Sequence, residues 1–112
     1  MMLSKSDLLA IKLETREVKL SQGSVLIKEF TASDREGFEL LALNMTKGKG
    51  AKNMKAKLIS VSVVNEQGGR VFGDDEVAQI SQMPSRVTEE IFNEILSLNG
   101  MAADAVDVEM GN

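Results

Sequence analysis

The sequence predicts an α+β fold: a small antiparallel sheet, built from hairpins, packed against three to four helices. Three observations carry that expectation. Val18 and Leu20 alternate with charged neighbours ahead of a glycine turn and an apolar return run. Thr31 opens a segment with helical spacing of apolar residues. Val87, Ile91, Ile95 and Leu98, spaced by four, four and three, line one face of a second helix.

Length and composition frame the elements. The chain has 112 residues, which suits one domain, and 43% are apolar and 27% charged, which is globular composition. Its only aromatics are Phe30, Phe38, Phe72 and Phe92, so Leu, Ile, Val and the seven Met must fill most of the core.

Residues 1–14 carry two patterns. Ser4 with Asp7 can cap a short helix, while Leu9, Ile11 and Leu13 alternate as in a strand. A loosely held N-terminal arm is expected there, followed by a single domain over residues 15–100. The hairpin comes next. Ser21-Gln22-Gly23-Ser24 supplies its turn, where Gly23 can take positive φ at little cost, and Val25 to Phe30 forms the return strand.

Thr31 is the expected N-cap of a helix from about Ala32 to Asn44, with Asp34 at the third position and Glu36 in the first turn. Phe38, Leu41, Ala42 and Met45 form its inner stripe. Leu40 and Leu43 widen that stripe beyond the needs of one small core. Either a second element covers them or the helix presents a partner-binding face made of Phe38, Leu40, Leu41, Leu43 and Met45.

Lys47, Lys49, Lys52, Lys55 and Lys57 crowd the following segment. A solvated connector explains them better than a phosphate loop. Gly48-Lys49-Gly50 lacks the Ser or Thr that holds magnesium in a P-loop, and no aromatic interleaves the lysines. Residues 58–64 are β-branched and alternate, which favours a strand, although Met54, Leu58 and Val61 also fit a helix. Asn65 to Gly69 reads as a turn, and Arg70-Val71-Phe72 as a short returning strand.

Asp74 is the expected cap of a helix through Val77 and Ile80 to about Gln82. Met83-Pro84 ends it and starts the last helix, from Pro84 or Ser85 to Leu98, broadened by Phe92 and stopped by Asn99-Gly100. Residues 101–112 are small or acidic and lack periodicity, so a disordered acidic tail is expected.

Missing residue types exclude many functions. The chain has no Cys, and so no disulfide, thiol catalysis or zinc-thiolate site; it has no His, the commonest general base. Without Tyr or Trp it lacks the best stacking platforms for single-stranded nucleic acid. Asp74, Asp75 and Glu76 do not follow calcium-loop spacing, and a helix start explains them. Glu89, Glu90 and Glu94 read as a solvated helix face rather than an acid–base pair. No catalytic, cofactor or metal site is expected, and no enzyme.

No apolar run reaches membrane-spanning length, and Met1 to Asp7 lack signal-peptide order. A soluble, cytoplasmic protein is expected. Its charge is uneven. Residues 1–57 hold eleven Lys and Arg against seven acids, a net +4, whereas residues 58–112 hold two against ten, a net −8. Such asymmetry suits an oppositely charged partner, including another copy of the chain.

The order of segments resembles the tail assembly chaperones of long-tailed bacteriophages. Lys28-Glu29-Phe30-Thr31-Ala32-Ser33-Asp34-Arg35-Glu36-Gly37-Phe38 is similar to one family segment, and Val63 through Val77, with its Gly68-Gly69 turn and Phe72-Gly73-Asp74-Asp75-Glu76, is similar to another. Met83-Pro84 followed by a helix ending Leu96-Ser97-Leu98-Asn99-Gly100 resembles the family's closing pattern. The likeness spans roughly residues 10–100. It implies a non-enzymatic chaperone that binds the tape measure protein, keeps it soluble, helps recruit tail tube protein and self-associates in the host cytoplasm, outside the mature virion.

It also implies a two-product gene. Met110-Gly111-Asn112 can be written ATG GGA AAC, which contains the slippery heptamer G GGA AAC, so this chain would be the short product of a −1 frameshift pair. The main rival is a head–tail connector or tail terminator retained in the virion. A nucleic-acid binder acting through the lysine segment is a weaker rival, opposed by the negative second half.

Overall fold

The computed structural model describes residues 1–46 and 53–101. The fold is α+β. Its elements are α1 (Lys5–Leu9), β1 (Thr15–Leu20), β2 (Gly23–Lys28), α2 (Ala32–Thr46), α3 (Met54–Ser62), β3 (Val63–Val64), a 3-10 turn (Asp74–Glu76), α4 (Val77–Ile80) and α5 (Ser85–Leu98). The sheet is antiparallel in the order β1-β2-β3.

The hairpin follows its sequence closely. Leu20 pairs with Gly23 around the two-residue loop Ser21-Gln22, and Gly23 takes φ +150°. Val18 lies opposite Val25 and Arg16 opposite Ile27, so these residues share one face. Val18 and Ile27 are buried on it. β3 pairs with β2 through only Val63 and Val64. The expected return strand at Arg70-Val71-Phe72 reduces to a single bridge between Val64 and Arg70. Arg70 has other work. Its Nε donates to the Ser60 carbonyl at 3.0 Å, where the end of α3 leaves acceptors free, and its guanidinium pairs with Asp74 at 2.9 Å.

Residues 58–62 correct the strand expectation, because they belong to α3. Met54, Ala56, Leu58, Ile59, Ser60 and Ser62 are all buried in that helix. α3 packs against α5, α4 and α2, so it has no broad polar face to mark it as helical. Its Ser residues sit inside. The Ser60 hydroxyl donates to the Lys57 carbonyl at 2.7 Å, and the Ser62 hydroxyl is buried without a hydrogen-bond partner among the described residues.

Capping marks several helix ends. Thr31 and Asp34 form a reciprocal box at α2: each backbone N–H donates to the other side chain, at 3.1 and 3.0 Å. The cap of the 3-10 turn is Gly73 rather than the expected Asp74, and the Glu76 carboxylate accepts from the Gly73 N–H at 2.7 Å. The expected helix from Asp74 to Gln82 is therefore a 3-10 turn followed by the short α4. α5 ends in a Schellman motif: Met101 N–H donates to Leu96 C=O at 2.8 Å and Gly100 N–H to Ser97 C=O at 3.1 Å, with Gly100 at φ +70°.

The core joins Val18, Ile27, Phe30 and Phe38 with Ile59, Ile80, Ile91, Phe92, Ile95 and Leu96. Leu96 lies outside the expected stripe on the last helix, and it is buried.

In α1 the helical alternative for Ser4 and Asp7 is the one adopted. Ser4 N–H donates to the Asp7 carboxylate at 2.9 Å, and Asp7 N–H donates to the Ser4 hydroxyl at 3.1 Å. The Ser4 backbone N–H, then its hydroxyl, hold the Asp7 carboxyl below its ordinary value of 3.8. The folded value lies below the unfolded one. The cap's contribution is therefore complete above the unfolded value and fades as pH falls through the folded one. A carbon-detected NMR titration should give Asp7 a midpoint below 3.8, and Ser4→Ala should raise it. An unmoved midpoint in that variant would remove the Ser4 hydroxyl as a cause and leave the backbone N–H.

Candidate partner-binding surface

The residues expected to form a binding face on α2 divide between two sides of the helix. Phe38 is 1% exposed and belongs to the core, its ring 6.2 Å from that of Phe30. Leu41 is partly buried against the same core. These two anchor the helix and are withdrawn from the face. Leu40 and Leu43 lie on the opposite side, 59% and 48% exposed. They stand three apart, so their side chains are neighbours along the helix. The Met45 side chain lies outside the described residues, as does most of the lysine segment, residues 47–52.

Two further features stand beside α2. One is the N-terminal arm. Among the described residues, seven of the ten large apolar side chains left exposed lie in residues 1–13. α1 buries nothing. The arm's root is fixed at the start of β1, where Glu14 N–H donates to the Glu29 carboxylate and Glu29 N–H to the Glu14 carbonyl, both at 2.9 Å.

The other is a groove of about 670 Å³ at the far end of the hairpin. Its floor is buried Ile59, Val63 and Ile91, and its walls are partly buried Leu20 and Val25 from the hairpin and Phe72 and Met83 from beyond β3. Exposed Glu17 and Glu66 lie on its rim. No periodicity marks such a groove, because its walls come from four separate segments.

The acidic clusters serve the fold. Glu89 pairs with Lys55, whose ammonium also lies 5.2 Å from the centre of the Phe92 ring. Glu94 pairs with Arg16 at 3.0 Å, and Arg16 also donates to the Ser97 hydroxyl at 3.0 Å. The expected solvated face is thus part of the seam between α5 and its neighbours. Of its three carboxylates, Glu90 alone stays in solvent without such a pair among the described residues. These pairs are half exposed, and each contributes about 0–1 kcal/mol. Asp74, Asp75 and Glu76 make up the 3-10 turn, and among the described residues no group of three or more His, Cys, Asp or Glu could hold a metal ion. No helix among those residues is long and apolar enough to cross a membrane.

The chemistry on display is therefore apolar contact flanked by charge: two leucines on α2, an apolar arm, and an acid-rimmed groove. Compared with protein-family models, curated proteins and solved structures, the chain finds no significant match in any of the three.

Proposed function

We propose that this chain is a tail assembly chaperone of a long-tailed bacteriophage, which binds the tape measure protein and keeps it soluble. Recruitment of tail tube protein falls to a longer, frameshifted form, and the work is done in the host cytoplasm. The observation that carries the reading is the exposed Leu40–Leu43 pair on α2, set on the side away from Phe38. A long helical client presents apolar stripes that would aggregate in water, and an exposed leucine pair on a helix can shield such a stripe by side-by-side packing. The ordered sequence resemblance over residues 10–100 supplies the identity of the client.

Co-expression with the long helical protein encoded just downstream tests the proposal. The client should be soluble and co-purify with the chain, and insoluble without it. Leu40→Ser with Leu43→Ser should leave the thermal midpoint within a few degrees of the parent, because both side chains already face water. Binding should weaken by about 2 kcal/mol, roughly thirtyfold. Equal binding by the double variant would remove α2 as the contact. A client that stays insoluble with the chain present would overturn the chaperone role, and recovery of the chain from purified virions would assign it to the finished particle.

A further inference from the structure

We propose that the N-terminal arm of one copy docks into the hairpin-end groove of a second copy, making residues 1–13 an intermolecular strap. The proposal rests on the arm and the groove, and it is independent of tape measure binding.

Both surfaces are apolar and complementary in charge. The arm exposes Leu8, Leu9 and Ile11 at 55%, 77% and 67%. Burying three such side chains against apolar surface is favourable by several kcal/mol. The groove offers that space over Ile59, Val63 and Ile91. Its polar side chains lie at the rim rather than on the floor, and the Asn65 carboxamide oxygen is already engaged by the Gln67 and Gly69 N–H groups. Nothing on the floor would orient a polar small molecule, so apolar side chains suit it better.

Charge selects the arm in particular. Within residues 1–13 the arm carries Lys5 and Lys12, and its one acid, Asp7, is held by Ser4. The rim carries Glu17 and Glu66. Among the described residues none of these four side chains, Lys5, Lys12, Glu17 and Glu66, enters an ion pair. Docking would bring the two cations to the two carboxylates.

Topology favours a contact between copies. The arm leaves from Thr15 and the groove opens at Leu20, opposite ends of β1, about 17 Å apart at strand spacing. The paired hydrogen bonds between Glu14 and Glu29 fix the arm's root at its own end. α1 is already capped, so little ordering remains for that turn on docking.

The chain has no Cys, which allows a direct test. Leu9→Cys and Val25→Cys chains, one isotopically labelled, are mixed and oxidised, and mass spectrometry identifies the disulfide joining positions 9 and 25. A link between labelled and unlabelled chains is expected, with none to a Ser33→Cys control on α2. Sedimentation of the full chain should show self-association that Lys5→Glu with Lys12→Glu weakens at least tenfold. Adding Glu17→Lys with Glu66→Lys should restore it, which a folding defect would not do. Leu40→Ser with Leu43→Ser should leave it unchanged. A monomer at all concentrations, a link formed only within one chain when both cysteines are present, or insensitivity to charge reversal would each overturn the proposal.

Discussion

Replacing Phe38 with Ala is expected to cost about 3–5 kcal/mol of stability, the largest single-residue effect in the domain. The ring is 1% exposed and packs against Phe30, and the chain has only four aromatics to fill its core. Ala42 and Leu41 are the other inward residues of α2 over its described side chains, and both are smaller. Losing the ring therefore leaves a cavity that neither neighbour fills, and it loosens the whole helix. A small domain has roughly 5–15 kcal/mol in total, so the variant should be partly unfolded at 37 °C. Chemical denaturation gives the magnitude. Hydrogen exchange shows whether α2 opens first, with its amides losing protection ahead of those in α5. Phe38→Leu should lose less than half as much. A cost below about 1 kcal/mol for the Ala variant would mean that α2 is held by something other than this ring.

The same residue shows why a sequence reading of a binding face blurs. Phe38, Leu40, Leu41 and Leu43 all fall within two turns, and apolar identity alone does not say which side of a helix is covered. Helical spacing separates Phe38 and Ala42 from Leu40 and Leu43, and that division is the one seen. The outward pair was recognisable only as an excess over one small core. The arm and the groove were not recognisable as a pair at all. Their match depends on which end of β1 each occupies, and that is a property of the folded chain.

Elsewhere legibility followed the range of the interactions. The hairpin, the Thr31 cap and the Asn99-Gly100 stop are set by residues close to one another in the chain, and they appear close to where the sequence puts them. The stretch 58–62 misleads because its β-branched alternation is real, yet α3 is enclosed by three other helices and can bury residues nearly all round. Glu94 looked like a solvated residue because its partner, Arg16, lies 78 positions away. Tertiary context overrides local preference at such places.

Asn99 is the clearest long-range tie, and replacing it with Ala should cost about 2–3 kcal/mol. Its Oδ1 accepts from the Phe30 N–H at 2.8 Å, and its Nδ2 donates to the Ile95 carbonyl at 2.8 Å. One carboxamide thus joins the end of α5 to the junction between the hairpin and α2. Phe30 is buried, so its N–H would be left without a partner in the Ala variant. Asn99→Asp separates the two bonds. The carboxylate still accepts from Phe30, but it cannot donate to Ile95, and it sets negative charge against that carbonyl at the negative end of α5. Its folded pKa should therefore rise above the unfolded value. A group shifted that way stabilises below its unfolded pKa and loses the contribution as pH rises through the folded one. The deficit of Asn99→Asp relative to the parent should thus shrink as pH falls from 7 towards 4, while that of Asn99→Ala stays flat over the same range. Denaturation midpoints measured for the three proteins at each pH decide it. Parallel curves for the Asp and Ala variants would mean that the donor side of the carboxamide contributes nothing, and that the Phe30 N–H alone fixes the junction.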